Sequence, residues 1–261
     1  MKKNNQNNHK AEKASRKAEK ATAKDAKAKG TEKDAKAKAS KKRKVYEPII
    51  FRGPRDCGLH ITTSHTAKME GMASASSSCK CNPICAKRQC VAGSICAHCF
   101  AQLHLEKPSN QKCFARNTRI LKARVYDLDE LPIINACFVR IEAFGDVSTV
   151  TMARNYIRLV RRNPHATFGI WSKNPAIWAR AFEAEGGKPE NCTFVLSSMF
   201  VNVVADATPY MAFTDHVFTV WSDEAKAKAA GYEINCGARS CLMCRKCYRK
   251  DTPFLIHELL K

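Results

Sequence analysis

Strand-like and helix-like segments alternate between residues 138 and 230, and this alternation constrains the fold more than any other feature. Apolar runs predict strands at residues 138–144, 167–172, 193–198 and 217–221. Amphipathic spacing predicts helices at residues 114–128, 152–162 and 223–230, and another from Pro175 to the Gly186-Gly187 stop. Repeated strand–helix order predicts the α/β class, with parallel strands joined by helical crossovers. Four clear strands are too few for a complete eight-stranded barrel.

Polar residues follow the predicted strands, where parallel α/β proteins place their sites. Arg140 and Glu142 alternate with apolar neighbours, so they are predicted to share one face of the first strand. Charges that point into a sheet interior are costly unless they are paired or functional. We expect a substrate-facing set, with an internal Arg140/Glu142 ion pair as the alternative. The candidate catalytic residues are Arg140, Glu142, Lys173, Asn174 and Ser198.

Ten of the 14 cysteines fall in two short windows. The first contains Cys79, Cys81, Cys85, Cys90, Cys96 and Cys99, and the second contains Cys236, Cys241, Cys244 and Cys247. In a reducing compartment such density indicates metal binding more than disulfides. The isolated Cys57, Cys113, Cys137 and Cys192 are expected to be buried structural thiols.

The spacing within each window suggests a metal site. The second window has the pattern C-x4-C-x2-C-x2-C, which suits tetrahedral zinc or an iron–sulfur cluster and favours the cluster. The first ends in Cys96-x2-Cys99, and Cys85 or Cys90 would complete a three-cysteine site that leaves one iron of a [4Fe–4S] cluster open. Spacing alone leaves open which of Cys79, Cys81, Cys85 and Cys90 take part.

Positive charge is concentrated at the N-terminus. Residues 1–44 hold 17 Lys or Arg against 5 Asp or Glu, more than half of the formal net charge of +21. They contain no aromatic residue, Ile, Leu or Val, so we expect a disordered arm, residues 1–45, that binds nucleic acid non-specifically. The alternative is a solubilising tail. Neither a membrane span nor a secretory signal is evident, so no membrane partner and a cytoplasmic location are expected.

Four phrases together resemble the phage "gene product 88" family: CNPICAKRQCVAGSICAHCFA, VRIEAFGDV, FGIWSKNP and NCGARSCLMCRKCY. A cysteine-rich loop before strand–helix repeats also resembles the radical S-adenosylmethionine (SAM) enzymes. That resemblance implies a partial (β/α) barrel at residues 46–235, followed by a cysteine-rich metal-binding segment at residues 236–261. It also implies a [4Fe–4S] cluster at Cys96 and Cys99, with SAM bound near Gly145 and Asp146, although the usual C-x3-C-x2-C spacing is absent.

Two functions follow as expectations. The first is a radical-SAM-like iron–sulfur enzyme of phage or mobile-element type, with an electron donor as partner and an unidentified substrate, either a nucleic acid or a protein bound to it. The second is a non-enzymatic nucleic-acid-binding protein in which both cysteine windows hold structural zinc. Polar residues at strand ends favour the enzyme, because a purely structural zinc protein does not require them.

Overall fold

A seven-stranded, mostly parallel sheet lies at the centre of the protein. The computed structural model describes residues 48–63 and 67–260, so the predicted arm at residues 1–45 lies outside the described residues. The strands of this sheet are β2 (Ile61–Thr63), β3 (Ala73–Ala75), β5 (Phe138–Ile141), β6 (Thr167–Ser172), β7 (Cys192–Ser197), β8 (His216–Trp221) and β9 (Leu255–Leu259). Their order is β2-β3-β5-β6-β7-β8-β9, and only β2 runs antiparallel to its neighbour. The predicted α/β class with a parallel sheet is confirmed.

Two further strands and seven helices complete the described chain. The strands β1 (Ile49–Phe51) and β4 (Ile133–Asn135) form an antiparallel pair. The helices are α1 (Pro83–Gln89), α2 (Phe100–His104), α3 (Pro108–Ala123), α4 (Val150–Arg162), α5 (Pro175–Ala184), α6 (Glu224–Ala229) and α7 (Cys241–Cys244). Single 3-10 turns at Ala67–Met69, Cys79–Cys81, Ile95–His98, Leu128–Glu130, Thr208–Tyr210 and Lys246–Tyr248 connect them.

One face of the sheet carries the main hydrophobic core. Alternate residues of the central strands point to this face and are fully buried, among them Val139, Ile141, Phe168 and Ile170. The helices α4 and α5 cover them, and Trp178 of α5 packs against the rings of Tyr156, Phe182 and Phe194. Burial of this apolar surface is the main stabilisation of the sheet.

The opposite face is covered by the chain between the last helix and the last strand. Thr193 Oγ1 donates a hydrogen bond of 2.6 Å to the Cys247 carbonyl, and His216 Nε2 lies 2.9 Å from the Arg249 carbonyl oxygen. A Cβ atom on Gly169 would lie 2.8 Å from the Tyr248 ring, so glycine lets this ring approach the sheet. The predicted cysteine-rich segment at residues 236–261 therefore supplies both this cover and β9.

Two local predictions were wrong. The helix predicted at residues 114–128 runs instead from Pro108 to Ala123, because the Asp127 capping box with Glu130 begins a separate turn. The strand predicted to reach residue 144 ends at Ile141, and Glu142 adopts a left-handed backbone with φ of 56°. Arg140 and Glu142 consequently do not share one face of a strand.

Candidate functional site

The first cysteine window follows β3, at the edge where the parallel strands end. Three buried serines, residues 76–78, connect β3 to Cys79. The side chains of α3 hold this connection: Asn117 Nδ2 donates to the Ser76 carbonyl at 2.9 Å, and Thr118 Oγ1 accepts from Ser78 N at 2.9 Å. These bonds satisfy the buried backbone of the connection, so they fix where the cysteine loop begins.

Cys79, Cys85 and Cys99 pack in one cluster with apolar residues, and Cys96 lies close enough to Cys85 to affect the pKa of its thiol. Cys79 donates a hydrogen bond to Cys99, and Cys85 lies within electrostatic range of Cys79, Cys96 and Cys99. The bond from Cys79, with backbone N–H groups at the start of α2 and the Lys173 charge, lowers the pKa of the Cys99 thiol to about 6 despite burial. Burial, followed by the nearby Asp146 carboxylate, raises the pKa of the Cys85 thiol to about 12.

The other two thiols of the window point elsewhere. Cys81 and Cys90 are exposed, and Cys90 Sγ lies 3.6 Å from the Ala86 carbonyl oxygen of its own helix. The structure therefore places Cys85, Cys96 and Cys99 together, adds Cys79, and separates Cys90 from them. In residues 48–63 and 67–260, no three His, Cys, Asp or Glu side chains are arranged to hold a metal ion as they stand.

Asp146 joins the cysteine loop to the neighbouring strand ends. Its buried carboxylate accepts hydrogen bonds from Ser172 Oγ at 2.6 Å and Lys173 N at 2.9 Å. Arg88 of α1 lies 3.6 Å from the same carboxylate and donates to Asn174 Oδ1 at 2.7 Å. Asp146 and Asn174, predicted to contact cofactor and substrate, are thus buried in a polar network that positions α1.

Glu142 lies in a second buried network beside the first, and Gly145 packs closely against it. Glu142 accepts hydrogen bonds from Ser77 N at 3.0 Å, Ser77 Oγ at 2.7 Å and Tyr156 OH at 2.8 Å. Burial outweighs these three donors and raises the pKa of the Glu142 carboxyl to about 7. A Cβ atom on Gly145 would lie 2.6 Å from Ser77 Oγ and 2.8 Å from the Ser77 carbonyl oxygen, so the loop requires glycine here.

The remaining predicted catalytic residues lie in different surroundings. Lys173 is partly exposed and close enough to Cys99 to stabilise its thiolate. Ser198 is buried, where its hydroxyl lies 3.1 Å from Thr219 Oγ1 and accepts from Ala205 N at 3.0 Å. Arg140 stacks over the Trp171 ring, with its Cζ atom 4.3 Å from the ring centroid, and faces the second cysteine window. Of the five, Lys173 alone combines exposure with proximity to the first thiol group.

The second window also brings its four cysteines together. Cys236, Cys241, Cys244 and Cys247 lie within electrostatic range of one another, on the face of the sheet opposite the main core. Burial raises the pKa of the Cys236 and Cys241 thiols, and that of Cys247 to about 12. Lys68 Nζ lies 3.4 Å from Cys236 Sγ and 2.8 Å from Glu258 Oε1, so a cation borders these thiols.

Several residues that shape the site gave no recognisable signal in the sequence. Arg88, Ser77, Tyr156 and Lys68 act through partners between 14 and 190 positions away. Among the residues that the prediction omitted, Cys79 could have been identified from its position in the first cysteine window. The isolated cysteines were predicted to be buried, yet Cys137 is exposed and only Cys192 is fully buried.

Comparison of the chain with family models, curated proteins and solved structures gave no match. No helix in the described part of the chain is long and apolar enough to cross a membrane. The two thiol groups and the residues around them are consequently the features of the molecule that indicate its function.

Proposed function

We propose that this protein binds iron–sulfur clusters and is an enzyme of the radical-SAM type. One observation carries the proposal: the Cys79, Cys85, Cys96 and Cys99 thiols gather where the parallel strands end. Active sites of parallel α/β proteins form at this edge of the sheet. The proposed ligands of the first cluster are Cys85, Cys96 and Cys99, with Cys79 beside them.

The strand order supports a partial barrel as the framework. The six parallel strands from β3 to β9 are neighbours in chain order, which is the order that strand–helix repeats adopt in a (β/α) barrel. In a flat sheet, β3 and β9 would be about 24 Å apart, given five steps of about 4.8 Å. Lys68 lies five residues before β3, yet its Nζ atom is 2.8 Å from Glu258 of β9. This contact between the segment before β3 and the last strand supports a curved sheet, as a partial barrel would have.

The chemistry of the first thiol group suits an iron–sulfur cluster. Thiolates are the usual ligands of such clusters, and Lys173 together with the start of α2 favours the Cys99 thiolate. Leu105, Phe114 and Phe144 pack around Cys79 and Cys85, which limits access of water. The thiols would deprotonate and reorient as a cluster is loaded. When bound, the cluster would supply one-electron chemistry.

SAM is part of the proposal through the family resemblance. The Asp146 carboxylate already accepts bonds from Ser172 and Lys173, so it is not available to bind the SAM amino group as it stands. Asp146 and Gly145 instead act on the proposed site by positioning the cysteine loop. Lys173 is the residue best placed to meet a reactant beside Cys99.

For the second thiol group we propose a metal centre with a structural role. Cys236, Cys241, Cys244 and Cys247 cover the sheet face that carries Arg140, and Arg140 and Lys68 offset thiolate charge there. A cluster or a zinc ion at this position would tie the cover to β9 through Cys236, whose N–H donates to the His257 carbonyl at 2.9 Å.

Metal analysis of anaerobically purified protein tests the proposal. We expect iron and acid-labile sulfide, a brown colour, and loss of the iron of the first cluster in Cys85→Ala, Cys96→Ala or Cys99→Ala. Cys81→Ala and Cys90→Ala are matched controls, because these exposed thiols belong to the same window but lie apart from the group.

Two further measurements separate the possible results. Cleavage of SAM by the reduced protein, lost in Cys99→Ala, would support the enzyme. Colourless protein that contains zinc without iron or sulfide would overturn the proposal and favour a zinc-stabilised binding protein. Cys79→Ala distinguishes an open cluster, which keeps its iron, from a closed cluster that has Cys79 as its fourth ligand.

A further inference from the structure

The positive charge of residues 45–261 is concentrated in one stretch of chain. Residues 71–126, which include the first cysteine window and α3, contain 9 Lys or Arg and a single acidic residue, Glu106. Residues 45–70 contain 3 basic and 3 acidic residues, and residues 127–261 contain 16 and 15. Nearly all the excess charge beyond the arm thus belongs to the part of the chain that builds the first thiol group.

Most of these cations are available to a partner. Arg88 is engaged by Asp146 and Asn174, and Arg124 forms an ion pair with Glu130. The other seven, Lys80, Lys87, Lys107, Lys112, Arg116, Arg119 and Lys122, are exposed and have no ion pair with a carboxylate of the described residues. Unpaired cations at this density attract a polyanion.

An exposed aromatic ring lies within the same stretch. Phe100, next to Cys99, is 55 % exposed, and its neighbour Leu103 is 69 % exposed. The Phe100 ring is supported by two other rings: its centroid lies 6.0 Å from that of His104 and 6.1 Å from that of Phe144. Lys80 Nζ lies 3.4 Å from the carbonyl oxygen of Leu105, the residue that ends the helix carrying Phe100. A supported, solvent-facing ring with cations on the same segment is the combination that stacks unpaired bases in single-stranded nucleic acid.

We propose that the surface formed by Lys80, Lys87, Phe100, Leu103 and Lys107 binds single-stranded nucleic acid, with phosphates on the lysines and a base on Phe100. This contact is additional to any contact made by residues 1–44. It does not require a metal, so it can hold even where the proposed function fails. If the proposed function also holds, a base on Phe100 lies beside Cys99, and nucleic acid becomes the substrate class.

Binding of a labelled oligonucleotide of about 12 nucleotides to the full chain, followed by fluorescence anisotropy across a salt series, tests this surface. Lys87→Ala/Lys107→Ala should weaken binding and reduce the slope of log K against log salt by about 1.4, at about 0.7 for each lost phosphate contact. The exposed pair Lys226→Ala/Lys228→Ala removes the same charge from α6 and should leave the slope nearer that of the unaltered protein.

Substitution of the aromatic ring tests stacking separately. Phe100→Ala should weaken single-strand binding roughly 10-fold, leave the salt slope unchanged and affect duplex binding little, because paired bases are not free to stack. Phe51→Ala is the matched control, since Phe51 is 53 % exposed but lies in β1.

Equal losses for the two lysine pairs, equal losses for the two phenylalanines, or equal effects of Phe100→Ala on single strands and duplexes would each overturn the proposal. Circular dichroism of every variant verifies folding, and its iron content shows whether the metal sites are intact. Retained iron with lost oligonucleotide binding supports the surface. If none of the proteins, including the unaltered one, contains iron, the proposed function is contradicted but the nucleic-acid-binding surface is not.

Discussion

The buried carboxyl of Glu142 should make stability depend on pH in an unusual direction. The native carboxyl accepts hydrogen bonds from Ser77 and Tyr156, but burial dominates and raises its pKa from 4.5 to about 7. The native protein therefore holds this proton more tightly than the unfolded chain does. The stabilisation that this proton provides is complete below about pH 4.5 and is lost as the pH rises to about 7.

The expected size of the effect follows from the two pKa values. At about 1.4 kcal/mol for each pKa unit, the change from 4.5 to about 7 corresponds to about 3 kcal/mol of unfolding free energy. Glu142→Gln keeps the shape of the side chain and cannot ionise. Its amide can accept from Ser77 N and donate to the two hydroxyls, so the network remains satisfied.

The assay is urea unfolding of both proteins, followed by circular dichroism, at several pH values between 4.5 and 8. Other titrating groups are common to the two proteins, so the stability of the native protein minus that of Glu142→Gln isolates this carboxyl. The difference should fall by about 3 kcal/mol over this range and stay constant above it. A difference that is flat, or that rises with pH, would refute the assignment of a raised pKa to Glu142.

Three further substitutions probe the framework of the site. Gly145→Ala should lower the free energy of unfolding by about 2 kcal/mol, because its Cβ atom would press on a backbone oxygen that cannot move aside. Gly237 has open space around it, so Gly237→Ala is the control and should leave thermal unfolding unchanged. Asn155→Ala should cost about 3 kcal/mol in urea unfolding, because three backbone groups lose their hydrogen-bond partner; a loss below 1 kcal/mol would contradict this. Lys68→Met should speed amide exchange in β9 and in residues 236–247, with little change in α4. Uniform exchange would show that the Lys68–Glu258 contact does not hold β9 in place.

The strands and most helices could be predicted because their signals are local. Apolar runs such as residues 167–172 fill consecutive positions, and Pro175 marks the first turn of its helix. The grouping of thiols was also partly predictable, because ligands that share a metal are often close in sequence. Cys96 and Cys99 are three residues apart and lie in one group.

The roles of the strand-end residues could not be predicted from the sequence. The alternation of residues predicts that Glu142 continues the strand on the same face as Arg140. Its side chain is instead held by Ser77, 65 positions earlier, and its backbone is left-handed. In the sequence, Asp146 similarly resembles a residue free to bind a ligand. Its contacts with Arg88 and Ser172 show instead that its carboxylate is buried and connects two parts of the structure. Such contacts join residues that are distant in the sequence, so they cannot be predicted from a local sequence pattern.

The sequential strand order has a consequence for how the protein folds. From β3 to β9, each strand pairs with the strand before it in the parallel series, so the sheet can grow from the N-terminal side as the chain leaves the ribosome. The Lys68–Glu258 contact spans 190 positions and can form only when β9 has been synthesised. Closing so long a loop carries the largest entropic cost in the sheet, so this contact should form last. The face that carries Arg140 and Trp171 is covered by the chain between α7 and β9, so it stays uncovered until those residues have been synthesised.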